Sequence, residues 1–280
     1  MKKNLIFFIF LGVSLFAKQS ISVSILPQKY FLEQIAENTL DINVLVPPGA
    51  SPATYEPKPR QMEELEKSDI YFAIGVPFER VWLKKFKEIF PKLQIVKTQE
   101  GVEKIAMKSH NPHSHDDKKI LDPHIWLDPI LVKIQAKNMV KALIKKYPQN
   151  KALYEKNLNA FNKKLDNLDA KIKNILKNKQ GKTFLVYHPS WGYFAKRYGL
   201  NQQAIEIEGK KPRSKDLQKI INEAKEKNIP SILVQRQFSQ KSAKVIASQI
   251  NGKVISIDQL SPKWEEELIR TAKILEKTLK

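Results

Sequence analysis

The chain has 280 residues, of which 42% are hydrophobic and 28% are charged, with a formal net charge of +20. This hydrophobic content excludes an intrinsically disordered chain and allows one large domain or two smaller ones. The basic residues are mostly Lys spread along helix-like segments, and no nucleic-acid-binding signature accompanies them. We therefore interpret the charge as a solvated surface and expect no nucleic-acid partner.

The chain contains no Cys. Disulfide bonds and thiolate zinc sites are excluded, and so is anchoring through an acylated Cys, as in a lipoprotein. Any metal must therefore be bound by His and carboxylate side chains.

Residues 1–17 have the pattern of a signal peptide: basic MKKN, then the apolar run LIFFIFLGVSLFA, which ends at Ala17. The run is short for a membrane span, although a retained anchor is the alternative. We expect cleavage after Ala17 and export to the periplasm.

Residues 18–148 predict a first α/β lobe. Short β-branched runs alternate with amphipathic helical patterns, and this order is typical of a parallel sheet flanked by helices. The lobe ends in a helix for which Asp128 is the predicted N-cap. The predicted strands are 21–27, 41–47, 70–75 and 93–98.

Residues 149–179 predict one long helix, because they contain neither Pro nor Gly and carry a regular apolar stripe. The stripe fits either a coiled-coil dimer or a helix packed along two lobes of one chain. Only about three heptads are present, so we favour the second interpretation and expect a monomer. The stripe consists of Tyr154, Leu158, Phe161, Leu165, Leu168, Ile172 and Ile175.

Residues 180–280 repeat the alternation, with predicted strands at 184–189, 204–207, 231–236 and 253–258. The predicted fold class is thus α/β, with two lobes joined by one long rigid helix. Each lobe has a mainly parallel sheet flanked by helices.

Three side chains that can bind metal lie where the predicted sheets end. His188 and Asp258 end predicted strands, and His124 enters the helix that closes the first lobe. Ligands bind at the carboxyl ends of parallel strands, and two imidazoles with a carboxylate suit Zn²⁺ or Mn²⁺. The alternative for each residue is structural, either a hydrogen-bonding His or a capping Asp.

A second His cluster, SHNPHSHDD at 109–117, contains His110, His113 and His115. We expect an exposed loop that binds metal transiently, and the alternative is a solvated loop that is merely rich in His.

An enzyme is not expected. Ser190, His188 and Asp258 have the residue types of a catalytic triad, but the segment HPS lacks the G-x-S-x-G turn of hydrolases. No Walker, HExxH or GxGxxG motif is present either.

Several motifs together resemble one family. DPHIWLDP, VYHPSWGYFAKRYGL and VISIDQLS, in this order, closely resemble the zinc/manganese solute-binding proteins of ABC importers, in the zinc-uptake branch. GASPATYEPKP and QFSQKSAKVIASQI are similar to the same family, so that the resemblance covers essentially the whole mature chain. It implies a periplasmic protein that holds one metal ion between its lobes and delivers it to a membrane permease.

The resemblance also implies a ligand set. His124, His188 and Asp258 match three of the family's ligands, and a His rather than a Glu at position 188 favours zinc. The position of the remaining ligand, a His in the family, is occupied by Ala53. Water, a His of the loop 109–117, or Glu56 are the candidates to complete the shell. Alternative functions are a manganese-specific binding component and an adhesin-type surface protein.

Overall fold

The computed structural model describes residues 18–107, 121–206 and 212–279. The predicted signal peptide 1–17 and the loop 109–117, with His110, His113 and His115, lie outside the described residues.

The first lobe is built on a four-stranded parallel sheet in the order β2-β1-β3-β4. The predicted strand 21–27 is too long at its carboxyl end, since Pro27 lies in the first turn of a helix, where a missing N–H costs nothing. The elements are β1 (Gln19–Val23), α1 (Leu26–Ala36), β2 (Leu40–Val44), α2 (Pro59–Glu66), β3 (Ile70–Ala73), α3 (Glu79–Ile89), β4 (Gln94–Lys97) and α4 (Pro129–Lys146).

The predicted N-cap of α4 is confirmed. The Asp128 carboxylate accepts the backbone N–H groups of Ile130 and Leu131, which have no partner inside the helix. The same carboxylate accepts the Nε–H of Arg197 in the second lobe, whose nitrogen lies 3.0 Å from each carboxylate oxygen. One buried Asp therefore starts the helix and joins the two lobes.

The long helix α5 (Lys151–Ile175) follows α4 after a short 3-10 turn at Pro148–Asn150. Most of its predicted apolar stripe is buried, and the helix packs against α1 and α4 of the first lobe and against the last helix of the second. The interpretation as a helix packed along two lobes of one chain is thus confirmed.

The second lobe has the same topology, a parallel sheet in the order β6-β5-β7-β8. One strand begins earlier than predicted, at 201 rather than 204, because Asn201–Ala204 pair in register with Thr183–Val186. The elements are β5 (Thr183–Val186), α6 (Gly192–Arg197), β6 (Asn201–Ala204), α7 (Ser214–Glu226), β7 (Ser231–Gln235), α8 (Gln240–Gln249), β8 (Lys253–Ile257) and α9 (Trp264–Thr278).

The main hydrophobic core is continuous across the two lobes and includes the buried stripe of α5. A smaller cluster lies within the second lobe alone. These features confirm the predicted fold class, whereas the boundaries 18–148, 149–179 and 180–280 stay a prediction. Among the residues that the structure describes, no helix has the length and apolar character needed to cross a membrane.

Candidate metal centre

A small cavity of about 50 Å³ lies between the lobes, where loops after strands of both sheets meet. This is the position at which open parallel sheets bind ligands. Two imidazoles and mainly apolar side chains line the cavity. The described lining residues are Ser51, Pro52, Ala53, Val76, Pro77, Met107, Pro123, His124, Trp126, His188, Phe238, Gln259 and Leu260.

The first lobe contributes His124, which is 7% exposed and precedes a 3-10 turn at Ile125–Leu127. Nδ1 of His124 lies 2.7 Å from Oδ1 of Asp122, which also accepts the His124 backbone N–H at 2.9 Å. A carboxylate only accepts, so Nδ1 carries the proton and Nε2 keeps a free lone pair. His124 is therefore held in the tautomer that binds a metal through Nε2.

The second lobe contributes His188, whose ring is also oriented by a carboxylate. Its Nδ1 lies 2.7 Å from Oε2 of Glu206, and its ring stacks on Phe238 at a centroid distance of 4.9 Å. Its backbone is fixed by the buried side chain of Gln235, which accepts from the His188 N–H and donates to its carbonyl. Burial lowers the pKa of His188, although the Glu206 carboxylate opposes this, so burial favours the neutral form of the imidazole.

The two rings meet edge to face between the lobes, with centroids 5.3 Å apart and planes at 74°. Because each Nδ1 is occupied by a carboxylate, the two Nε2 atoms are the nitrogens left to bind a ligand. These two Nε2 atoms are therefore the candidate metal donors of the cavity.

Asp258 does not line the cavity, but its chain neighbours Gln259 and Leu260 do. Its carboxylate accepts the Leu260 N–H at 3.0 Å and lies 3.9 Å from Nε of the exposed Arg236. Within the described residues, no three His, Cys, Asp or Glu side chains are grouped closely enough to hold a metal ion. The assignment of Asp258 as a ligand therefore stays a prediction.

The structure also shows the surroundings of Ala53, where the family has a His. Ala53 lines the cavity and is exposed, so it lies towards solvent. Glu56 is exposed and is not among the lining residues. The structure thus brings His124, His188 and Ala53 to one cavity and leaves Glu56 outside it.

The residues of the rejected catalytic triad are arranged for other roles. Nδ1 of His188 is paired with Glu206 rather than Asp258, and Oγ of the buried Ser190 accepts from Nε2 of Gln235 at 2.8 Å. Ser190, His188 and Asp258 therefore do not form the chain of hydrogen bonds that a catalytic triad requires.

Two indole groups fasten the His124 turn to the second lobe. Nε1 of Trp126 donates to the carbonyl of Gln259 at 2.7 Å, and Nε1 of Trp264 donates to the carbonyl of Trp126 at 2.8 Å. All three side chains are buried. The loop that follows Asp258 is consequently fixed to the turn that follows His124.

Another part of the wall is held by Glu79, which is 2% exposed. Its carboxylate accepts the backbone N–H groups of Ile74 at 3.0 Å and Gly75 at 2.7 Å. Burial raises its pKa, although these hydrogen bonds oppose the rise. The carboxylate fixes the turn that presents Val76 and Pro77 to the cavity.

Sequence reasoning missed the groups that orient the imidazoles. Asp122 stands two residues before His124 in DPH, where a local hydrogen bond was foreseeable. Glu206 and Phe238 are far from His188 in sequence, and only the pairing of β5 with β6 and β7 brings them to it.

Comparison with known proteins gives a consistent result. The family model described as zinc-uptake complex component A, periplasmic, matches residues 21–278. The high-affinity zinc uptake system protein ZnuA of Bacillus subtilis is 28% identical over 253 residues, covering 86% of this chain and 78% of that protein. The manganese ABC transporter substrate-binding lipoprotein PsaA of Streptococcus anginosus is 30% identical over 232 residues, covering 78% and 72%.

A solved crystal structure of ZnuA superposes with a TM-score of 0.87 at 38% identity, covering 94% of this chain and 99% of that one. A zinc-bound ZnuA deletion mutant gives the same TM-score at 37% identity, with coverages of 94% and 98%. The chain therefore belongs to the ZnuA family, the substrate-binding proteins of metal ABC transporters, which are not enzymes.

Proposed function

We propose that this chain captures Zn²⁺ in the cleft between its lobes, in the periplasm, and delivers it to the membrane permease of an ABC importer. The observation that carries the proposal is the facing pair of His124 and His188, each with Nδ1 bound to a carboxylate and Nε2 free. Imidazoles held in this way are strong zinc ligands because the carboxylate behind each ring raises its basicity.

The donor types favour zinc over manganese. Two of the candidate donors are imidazole nitrogens, which zinc binds well, whereas Mn²⁺ prefers carboxylate and carbonyl oxygens. Relatives named for zinc and for manganese both match this chain, so their names do not decide between the metals.

We propose Asp258 as the third ligand. Its contact with Arg236 at 3.9 Å is long, and that Arg side chain is 72% exposed, so the hydrogen bond from the Leu260 N–H at 3.0 Å is the main contact that the carboxylate would exchange for a metal. A turn of the Asp258 side chain towards the two imidazoles would give a His₂Asp set, which water would complete to the tetrahedral shell of zinc.

Calorimetry with Zn²⁺ on the mature protein tests the proposal, using His124→Ala and His188→Ala. Each substitution removes one imidazole and should abolish tight binding, whereas His113→Ala in the loop 109–117 is the matched control and should retain it. Circular dichroism of each variant verifies folding. Unchanged tight binding in both cleft variants would refute the site.

Two further titrations refine the assignment. Competition between Zn²⁺ and Mn²⁺ should favour Zn²⁺, and a preference for Mn²⁺ would support the manganese-specific alternative. Deletion of 109–117 should lower the number of ions bound per chain and leave the tight site intact. Loss of tight binding would instead show that the loop supplies a ligand.

A further inference from the structure

Met107 is the sulfur-containing residue of the described cavity wall. It follows Ala106, which forms an antiparallel bridge with Leu121, three residues before His124. The adjacent carbonyl of Ile105 accepts the Asp122 backbone N–H at 2.9 Å. The segment that carries Met107 is therefore fixed to the segment that carries and orients His124.

The second lobe also fixes this segment. The hydroxyl of Tyr193 accepts the Ile105 backbone N–H at 3.2 Å and donates to the Asp122 carbonyl at 3.0 Å. One buried phenol thus bridges the segment before Met107 and the residue that orients His124. The two residues before Met107 are thus held by contacts to both lobes, as expected for a segment of a preorganised site.

The donor groups that line the cavity are chemically mixed. His124 and His188 offer Nε2, Met107 offers a thioether, and Ser51 and Gln259 offer neutral oxygens. Imidazole is a borderline ligand, and a thioether is a soft one that selects Cu(I) over harder divalent ions. Met107 therefore lines a cavity in which the family resemblance places a third imidazole, at the position of Ala53.

We propose that Met107 supplies a thioether donor to an ion held by Nε2 of His124 and His188, so that the cavity binds a soft monovalent cation of the Cu(I) class as well as Zn²⁺. The proposal rests on the proposed function for its two imidazole donors. The two cations would use different third ligands, Asp258 for Zn²⁺ and Met107 for Cu(I).

A neutral wall suits a monovalent ion. The charge of a bound cation is balanced only by groups behind the imidazoles, namely the carboxylates of Asp122 and Glu206, because the described lining is uncharged apart from any protonated His. A single positive charge needs less compensation in a buried site than a double one.

Anaerobic titration of Cu(I) against a chromophoric Cu(I) chelator tests the proposal on the mature chain. Met107→Leu keeps the side-chain volume and removes the sulfur, and Met139→Leu, in the buried core of α4, is the matched control. Met107→Leu should weaken Cu(I) binding at least about tenfold, the loss seen when even an outer-shell partner is removed, and should weaken Zn²⁺ binding by a much smaller factor. Asp258→Asn should do the reverse.

X-ray absorption at the copper edge gives a second readout. Wild-type protein should show a sulfur neighbour in the first shell, and Met107→Leu should show only nitrogen and oxygen. Equal Cu(I) affinity in Met107→Leu and wild type, or a wild-type spectrum without sulfur, would overturn the proposal. If Zn²⁺ binding still depends on His124 and His188, only this inference fails; if neither cation binds, the proposed function fails with it.

Discussion

His124 and His188 are held in different ways, although each has a carboxylate on Nδ1. The His124 segment is bound to the second lobe by hydrogen bonds of Trp126, Trp264 and Tyr193. His188, by contrast, is oriented by Glu206, Gln235 and Phe238 of its own lobe. The His124 segment is thus fixed to both lobes, whereas the contacts that orient the His188 ring come from its own lobe.

This difference explains how a site between two lobes can be preorganised. A ligand pair shared by two bodies loses affinity if the bodies move, since ordering them then opposes binding. Here the core is continuous across the lobes, and the long α5 helix packs on both. We therefore expect little hinge motion on metal binding.

Among the residues that hold the two imidazoles in place, the largest expected effect follows from removing the two orienting carboxylates. Asp122→Ala and Glu206→Ala should each weaken Zn²⁺ binding about 10–100-fold, as is typical for outer-shell partners of ligating His residues. Asp122→Ala should be the more severe, because Asp122 also accepts the His124 backbone N–H. Calorimetry measures both losses, and equal affinity of both variants and wild type would show that the carboxylates do not orient the ligands.

A smaller effect is expected from removing an indole hydrogen bond that joins the two lobes. Trp264→Phe leaves the buried carbonyl of Trp126 without its donor and should lower the free energy of unfolding by about 1–3 kcal/mol. Trp264 does not line the described cavity wall, so any loss of Zn²⁺ affinity would report on the position of the His124 turn. Urea denaturation gives the stability.

The matched control is Trp82→Phe, on the half-buried face of α3, where the ring lies under Nζ of Lys85. That substitution should cost less, since the indole makes no hydrogen bond to the other lobe in the described residues. If the Trp264 variant were as stable as the Trp82 variant, the hydrogen bond of the Trp264 indole would not be stabilising the contact between the lobes.

The smallest effect concerns pH. The pKa of His188 is lowered, chiefly by burial, so this side chain stays neutral in the folded protein below the ordinary value of about 6.5. Its contribution to stability is therefore present above that value and is lost as the pH falls below it. Zn²⁺ affinity should fall over the same acidic range, because protons compete for Nε2.

NMR titration of the imidazole C–H signals, assigned with His188→Ala, measures the shift directly. The His188 signal of the metal-free protein should titrate at a lower pH than an unfolded reference peptide. Titration at or above the peptide value would mean that the Glu206 carboxylate outweighs burial.

Much of the fold is readable in the sequence because its patterns are local. Alternating β-branched runs and helical stripes predict both parallel sheets, and Asp128 before Pro129 predicts the start of α4. The strand Asn201–Ala204 was placed too late, because its first three residues are polar and pairing with β5, rather than composition, makes them a strand.

The site was readable only in part. His124 and His188 stand at the carboxyl edges of the two lobes, so topology alone predicts that they approach each other. Glu206 was not foreseen, because its contact with His188 depends on the register between β5 and β6. The direction in which the Asp258 side chain points is set by Leu260 and Arg236, which no sequence pattern reveals.

The central claim is that one metal ion is bound by both lobes through His124 and His188. A crystal structure of the mature protein with Zn²⁺, with the ion located by anomalous scattering at the zinc edge, tests it most directly. We expect one fully occupied ion in the cavity, bound to Nε2 of both residues. Asp122 and Glu206 should still be hydrogen-bonded to the two Nδ1 atoms. An ion bound elsewhere, or to only one of the two imidazoles, would contradict it.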